Sequence, residues 1–160
     1  HDNPILDTDC HMHFENGQIV DFRAVWWPNL MGDFRIEYLP NSLEHLRIVI
    51  CHQNFRINTR CLPRLAEHIS LRQNSIWGTI ELSLLPQRLV TLNLSWNHFT
   101  GKILLDRLPD SLEELDLQWN LKIKQDVVYY GALPKCLKKV DLKQITPRVE
   151  PIDEECRVED

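Results

Sequence analysis

The dipeptide Leu-Pro recurs along the chain at a nearly constant spacing. Its prolines are Pro40, Pro63, Pro86, Pro109 and Pro134, at intervals of 23, 23, 23 and 25 residues. Self-similarity at a fixed period of this length is typical of repeat proteins, in which one copy cannot bury its apolar side alone. The spacing therefore predicts that the copies stack on one another and bury a continuous core.

A frame of the form L-x-x-L-x-L-x-x-N follows each Leu-Pro. In one copy it reads Leu89, Leu92, Leu94 and Asn97. Because residues two apart point to the same side of a strand, each frame predicts a short strand with one apolar side turned inward. Five frames are in register, beginning at positions 43, 66, 89, 112 and 137.

A sixth, degenerate copy is predicted to begin at Val20, one interval of 23 residues before Leu43. It departs from the frame at Arg23, where an apolar residue is expected, and at Pro28, where asparagine is expected. Terminal copies of a solenoid are usually atypical, because one of their sides meets solvent or a cap.

The frame and its continuation, seen in Phe99-Thr-Gly101-Lys-Ile103, resemble the leucine-rich repeat family. The resemblance is to its short 23-residue class, LPxxLxxLxLxxNxFxGxI, of plant-type and many protozoan proteins, and it covers about residues 20–145. It implies an α/β-type solenoid that is predominantly β, right-handed and curved, with a parallel sheet on its concave face. It also implies that the chain is a module for binding other proteins.

The convex side is expected to lack long helices. An interval of 23 residues leaves little room for one, and the proline of each copy lacks the N–H that a helix interior uses. We therefore predict turns, short 3₁₀ helices and small strands around Gly78–Ile80 and Gly101–Ile103.

Three regions follow from the repeat register. Residues 1–19 are predicted to form an N-terminal cap, residues 20–146 about six repeats starting near 20, 43, 66, 89, 112 and 137, and residues 147–160 an acidic tail. The tail is expected to be solvated and frayed, with binding to a basic partner as the alternative.

The polar position that closes each frame is predicted to be structural. Asn74, Asn97 and Asn120 would point inward and bond to backbone groups of neighbouring turns, because a buried polar side chain needs partners. Cys51 occupies the same position, which predicts a structural thiol rather than a reactive one.

The outward positions of the strands define the predicted partner-binding surface. Directly before the closing residue of each copy, a row that includes Trp27, Trp96 and Trp119 also follows the strands. Large aromatic rings of this kind often carry interface energy. In this register Phe22 and Ala24 face outward as well. The residues that we predict to contact a partner are Trp26, Trp27, His45, Arg47, His68, Arg72, Trp96, Glu114, Asp116 and Trp119. The alternative is that the tryptophans lie flat and cover the turns.

The stretch Asp9-Cys10-His11-Met12-His13 has a spacing that metal-dependent hydrolases use. Such enzymes need further ligands from a larger scaffold, and the repeats occupy the rest of the chain. We therefore predict no catalytic residues, no metal site and no cofactor, and keep a metal-dependent hydrolase-like site or an adventitious metal site at Asp9, His11 and His13 as the alternative. In the preferred interpretation Ile5, Leu6, Met12 and Phe14 cap Val20 and Val25, while His11 and His13 face outward.

Charge and composition restrict the remaining classes. The net charge of −5 is concentrated in the tail, so the chain lacks the excess of cations that binding to nucleic acid requires. No apolar run approaches the roughly 20 residues that span a bilayer. Five cysteines, an odd number without paired short spacing, indicate a reducing, cytoplasmic location. The predicted function is thus non-enzymatic binding of a protein or peptide, with a small ligand or sugar on the tryptophan row as an alternative. The oligomeric state is left open.

Overall fold

The computed structural model describes residues 9–27 and 33–152. The predictions made for Ile5, Leu6, Pro28 and residues 153–160 lie outside this range, as does the side chain of Asp9.

The chain folds as a predominantly β solenoid of about five turns built on a parallel sheet, with almost no helix. The strands are β1 (Asp9–Glu15), β2 (Gln18–Val25), β3 (His45–Val49), β4 (His68–Ser70), β5 (Trp77–Thr79), β6 (Thr91–Asn93), β7 (His98–Thr100), β8 (Leu104–Leu105), β9 (Glu114–Asp116), β10 (Val127–Tyr130), β11 (Lys139–Asp141) and β12 (Arg148–Pro151). Short 3₁₀ helices cover Ile36–Tyr38, Thr59–Cys61 and Leu82–Leu84.

The principal sheet has the order β1-β2-β3-β4-β6-β9-β11. In this sheet β2, β3, β4, β6, β9 and β11 are parallel, and each comes from one copy of the frame. From Leu43 onward, the registers of these strands match the alignment of the frames. On the other side of the core lie two small parallel sheets, β5-β7 and β12-β10-β8. The polypeptide therefore alternates between the principal sheet and a looser outer wall.

The leucines of each frame form the core, as predicted. Leu92 and Leu94 are both buried, and Leu115 and Leu117 repeat the arrangement one turn later. The return path contributes the other half of the core, and its largest buried side chain is Phe99 on β7. Burial of this apolar surface at about 25 cal/mol per Å² is the main force that holds successive turns together.

The asparagine prediction is confirmed. The amide nitrogen of Asn97 donates to the carbonyl oxygens of Leu71 (2.9 Å) and Leu94 (3.1 Å), and its Oδ1 accepts from the backbone N–H of Ile76 at 3.1 Å. Asn74 and Asn120 make the equivalent bonds one turn before and one turn after. Each asparagine thus joins two successive turns through buried backbone groups, and the carbonyl oxygens of Leu71 and Leu94 each accept from two asparagines.

Cys51 fills the same position in the first full copy with a shorter side chain. Its Sγ lies 3.4 Å from the carbonyl oxygen of Ala24 and 3.3 Å from that of Val49, and its single S–H can donate to either one. Burial raises the pKa of the Cys51 thiol above its ordinary value, and hydrogen bonds from the backbone of Trp27 and Val49 only partly offset this. Because the thiolate is the nucleophilic form, the structure agrees with a structural role for Cys51.

The predicted register of the degenerate copy is wrong by one residue. Strand β2 pairs with β3 so that Phe22 lies beside Leu46 and Ala24 beside Ile48. Phe22 and Ala24 are therefore buried in the core rather than outward, and Arg23 is an outward residue. The first turn accommodates one residue more than the interval of 23 that was assumed from later copies.

The N-terminal strand extends the principal sheet, and its apolar side chains are about half exposed. Strand β1 pairs antiparallel with β2 through a turn at Asn16-Gly17. Met12 and Phe14, which were predicted to cap Val20 and Val25, have exposed fractions of 49% and 55%. About half of each side chain is therefore in contact with solvent.

The outer wall has the small strands that were expected, at slightly different places. Strand β5 contains Gly78, as predicted, whereas β7 ends at Thr100 and β8 begins at Leu104, so the second predicted strand is displaced. The predicted tail, residues 147–160, contains β12 near its start, and this strand pairs with β10.

Candidate partner-binding face

The outward side chains of β2, β3, β4, β6, β9 and β11 form one surface, here called the strand face. A depression of about 430 Å³ lies at its centre. It is lined by Asp21, Arg23, His45, Leu46, Arg47, His68, Ile69, Ser70, Thr91, Asn93 and Glu114. Because these side chains stand on paired strands, their positions are fixed by the sheet rather than by a loop.

Two histidines form the centre of the depression. His45 and His68 are direct neighbours on β3 and β4, and their rings stack with centroids 5.0 Å apart and planes 6° from parallel. Nδ1 of His68 lies 2.9 Å from Oγ1 of Thr91 on the next strand, and the tautomer decides which group donates. The pair is thus held in one arrangement across three strands.

Hydrogen bonds order the polar side chains on the C-terminal half of the face. Nδ2 of Asn93 donates to Oδ2 of Asp116 at 3.1 Å, joining β6 to β9. Nε2 of Gln118 donates to the same oxygen at 3.2 Å. Asp116 was predicted to contact a partner, and it also contributes to the structure of the face.

The same residues support the turn that ends each strand. Asn93, Asp116 and Asp141 each accept a hydrogen bond from the backbone N–H two residues later, at 3.0, 3.1 and 3.1 Å. Asparagine and aspartate favour such turns because the side chain replaces a backbone acceptor. The next residue in each copy then adopts a positive φ angle.

Asp141 is the carboxylate of this series with a displaced pKa. Its side chain is only 7% exposed and lies 3.3 Å from Nζ of Lys143. Burial raises the pKa of the Asp141 carboxyl, but the backbone N–H and ammonium of Lys143, together with Lys139, lower it by more. The pKa of Asp141 therefore lies below its usual value.

This displacement predicts a pH-dependent contribution to stability. A carboxyl group with a lowered folded-state pKa stabilises the protein above the unfolded-state value of about 3.9, and the contribution is lost as the pH falls through the folded-state value. We expect Asp141→Asn to lower the free energy of unfolding by at most about 1 kcal/mol near neutral pH, because Lys143 is largely exposed. The difference in the free energy of unfolding between Asp141→Asn and the parent, measured by urea unfolding, should become smaller below about pH 4. Asp110→Asn, at an exposed aspartate, is the matched control, and a difference that is constant with pH would contradict the assignment.

A row of residues in the left-handed conformation borders the strand face. Its members have φ angles between 46° and 66° and are Trp26, Ile50, Gln73, Trp96, Trp119 and Gln144. Trp96 and Trp119 stack with centroids 4.6 Å apart and planes 17° from parallel. Trp96 is nevertheless 43% exposed, so the pair covers the turns only in part and also presents aromatic surface to solvent.

The remaining predicted residues lie partly in the depression and partly outside it. Arg47 and Glu114 line the depression, whereas Arg72 is exposed but does not line it. Trp26, rather than Trp27, is equivalent to Trp96, because the register of the first copy shifts by one. Trp27 occupies the position of Cys51 and is exposed at the end of the first described segment.

The sequence-based prediction missed several lining residues. Asp21 and Arg23 were missed because the first copy was placed one residue out of register, and aligning Phe22 and Ala24 with apolar positions would have found them. Ser70, Thr91 and Asn93 stood at outward positions of the frame, but their small polar side chains gave no reason to single them out.

The histidines of β1 do not gather metal ligands. His11 and His13 are exposed, and Nε2 of His13 lies 3.6 Å from a carboxylate oxygen of Glu15. Over residues 9–27 and 33–152, no three His, Cys, Asp or Glu side chains are grouped as a metal site requires. The alternative of a metal site at Asp9, His11 and His13 therefore gains no support from the part of the chain that the structure describes.

No protein-family model, no curated protein and no solved structure matches this chain significantly. Among the described residues, no helix has the length and apolar character needed to traverse a membrane.

Proposed function

We propose that the chain is a leucine-rich repeat solenoid, right-handed and curved, that binds a protein or peptide partner on its strand face without catalysing a reaction. The solenoid architecture supports this proposal through its parallel strands and through the asparagines that join successive turns. Fold alone does not assign a function, and the strand face supplies the further support for partner binding.

The observation that carries the proposal is the exposed stack of Trp96 and Trp119 beside a polar depression on a rigid sheet. Both tryptophans have positive φ angles, a conformation that costs a bulky residue about 1 kcal/mol and that glycine or asparagine would adopt more readily. Large aromatic side chains kept at an unfavourable backbone position, yet partly in solvent, are well suited to bury area against a partner.

A matched pair of tryptophans tests the proposal. Trp96 at the border of the strand face and Trp77 on the outer wall have similar exposed fractions, 43% and 46%. Peptides selected from a displayed random library on the parent protein should bind Trp96→Ala about tenfold more weakly, equivalent to about 1.4 kcal/mol. Their affinity for Trp77→Ala should match that for the parent, measured by fluorescence anisotropy.

Charge on the face supplies a second comparison. Arg47→Ala should weaken the same peptides, whereas Arg60→Ala on the outer wall should not. Thermal unfolding of each variant establishes that the fold is retained, with midpoints near that of the parent expected for surface substitutions. If the selected peptides bind all four variants equally, the strand face is not the binding surface.

The free thiols support a proposed reducing, cytoplasmic location. Cys10, Cys51, Cys61 and Cys136, the cysteines within the described residues, are all unpaired. Cytosolic proteins generally keep their cysteines in this state.

A further inference from the structure

The depression on the strand face has balanced fixed charges. Its charged lining consists of two carboxylates and two arginines, namely Asp21, Glu114, Arg23 and Arg47. The other titratable groups among its lining residues are His45 and His68. Imidazole is the side chain whose charge ordinarily changes between about pH 5 and 8, and a proton bound by the histidine pair would make the depression positive.

The stacking of the two rings links protonation of the histidine pair to binding of an anionic ligand. The rings of His45 and His68 are stacked with centroids 5.0 Å apart, and positive charge on both would be unfavourable because like charges at this separation repel. An anion that lies against the rings offsets that repulsion. Oγ1 of Thr91, 2.9 Å from Nδ1 of His68, can accept a hydrogen bond from the protonated ring.

The distribution of charge across the strands favours spaced carboxylates over a polymer of phosphates. Arg47 lies on β3 beside the histidines, whereas Asp21 lies on β2 and Glu114 on β9, at opposite sides of the depression. A continuous polyanion that crosses the strands would meet a repelling carboxylate on each side. A peptide can place an acidic side chain at the centre and neutral or basic residues at the two sides.

We propose that this depression binds an acidic side chain of a peptide segment together with a proton taken up by the His45–His68 pair. The inference rests on the proposed function and names the chemistry of the partner and its regulation. Binding tightens as the pH falls, because a complex that takes up a proton gains affinity with increasing proton concentration.

The test uses the full chain and a fluorescein-labelled peptide with one central glutamate flanked by serines. Its dissociation constant, measured by anisotropy, should fall about tenfold between about pH 7.5 and pH 5.5. The glutamate of the probe stays ionised over this range, since its ordinary pKa is about 4.3. A matched peptide with glutamine in place of the glutamate should bind more weakly and show no such change.

Two sets of variants locate the effect. The double variant His45→Gln/His68→Gln should lose the pH dependence, whereas His52→Gln/His98→Gln, at exposed histidines away from the depression, should keep it. Arg47→Gln should weaken binding at both pH values and retain the dependence on pH. The inference would be overturned if the affinity for the glutamate peptide did not change with pH, or if its pH dependence survived in the His45→Gln/His68→Gln variant. Equal affinity for the glutamine peptide or for an oligothymidylate would also overturn it.

The outcome also separates this inference from the proposed function. If library-selected peptides depend on Trp96 and Arg47 but are not acidic and bind equally at both pH values, the face binds partners and the inference fails. If no peptide depends on Trp96 or Arg47, the proposed function fails.

Discussion

Replacement of Asn97 by alanine is expected to lower the free energy of unfolding by about 3 kcal/mol. The substitution removes the hydrogen bonds from Nδ2 to the carbonyl oxygens of Leu71, Leu94 and Ser95, and the acceptor for the N–H of Ile76. The N–H of Ile76 is then left buried without its acceptor, while the carbonyl oxygens of Leu71 and Leu94 keep one donor each, from Asn74 and Asn120. Urea unfolding of the variant measures the loss.

Two further variants make the result specific. Asn54→Ala, at an exposed asparagine, should cost about 0.5 kcal/mol or less. Asn97→Cys reproduces the arrangement at Cys51, whose thiol lies beside carbonyl groups of two turns, and should lose less stability than Asn97→Ala. Equal losses for Asn97→Ala and Asn54→Ala would show that the asparagine series does not hold the turns together.

The architecture could be predicted because the information that specifies it is local and repeated. Leu92 and Leu94 alternate within one strand, and Asn97 closes the same frame, so a single copy already defines which side faces inward. Repetition of the frame then defines the stacking, since each turn contacts mainly its two neighbours. The burial of Asn97 and the parallel pairing of β4, β6 and β9 follow directly.

The first turn was placed one residue out of register because the interval of 23 residues was carried back from later copies, although Phe22 and Ala24 fit the apolar positions of the frame. A shift of one residue exchanges the two sides of a strand, and this turned Phe22 and Ala24 inward and Arg23 outward. The hairpin before it was predictable in part. Asn16-Gly17 is a strong signal for a two-residue turn, and it joins β1 to β2.

The sequence predicted which surface carries the candidate site, but not the contacts between its side chains. Outward positions of the frame identified His45, His68 and Glu114, all of which line the depression. The stacking of His45 on His68 and the bond from Asn93 to Asp116 depend on rotamers of side chains from different copies. These rotamers are set by contacts between strands that are about 23 residues apart in sequence and that no single frame encodes.

The outer wall should be the most sensitive part of the core to truncation. Phe99 on β7 is fully buried, and Gly78, its partner on β5, contributes no side chain to fill a void. We expect Phe99→Ala to lower the free energy of unfolding by about 4 kcal/mol, since it removes a large buried ring and leaves a cavity. Phe99→Leu, which keeps most of the volume, should cost about 1.5 kcal/mol. Urea unfolding again measures both.

Hydrogen exchange and peptide binding together separate the core from the strand face. Phe99→Leu should speed amide exchange in β5 and β7, because stability in a solenoid is shared mainly between neighbouring turns. Its affinity for the glutamate–serine peptide should equal that of the parent, since the principal sheet and the His45–His68 pair lie on the other side of the core. Loss of affinity in Phe99→Leu at a temperature where it is fully folded would show that packing of the outer wall controls the face. Unchanged affinity would mean that the sheet alone positions the histidines.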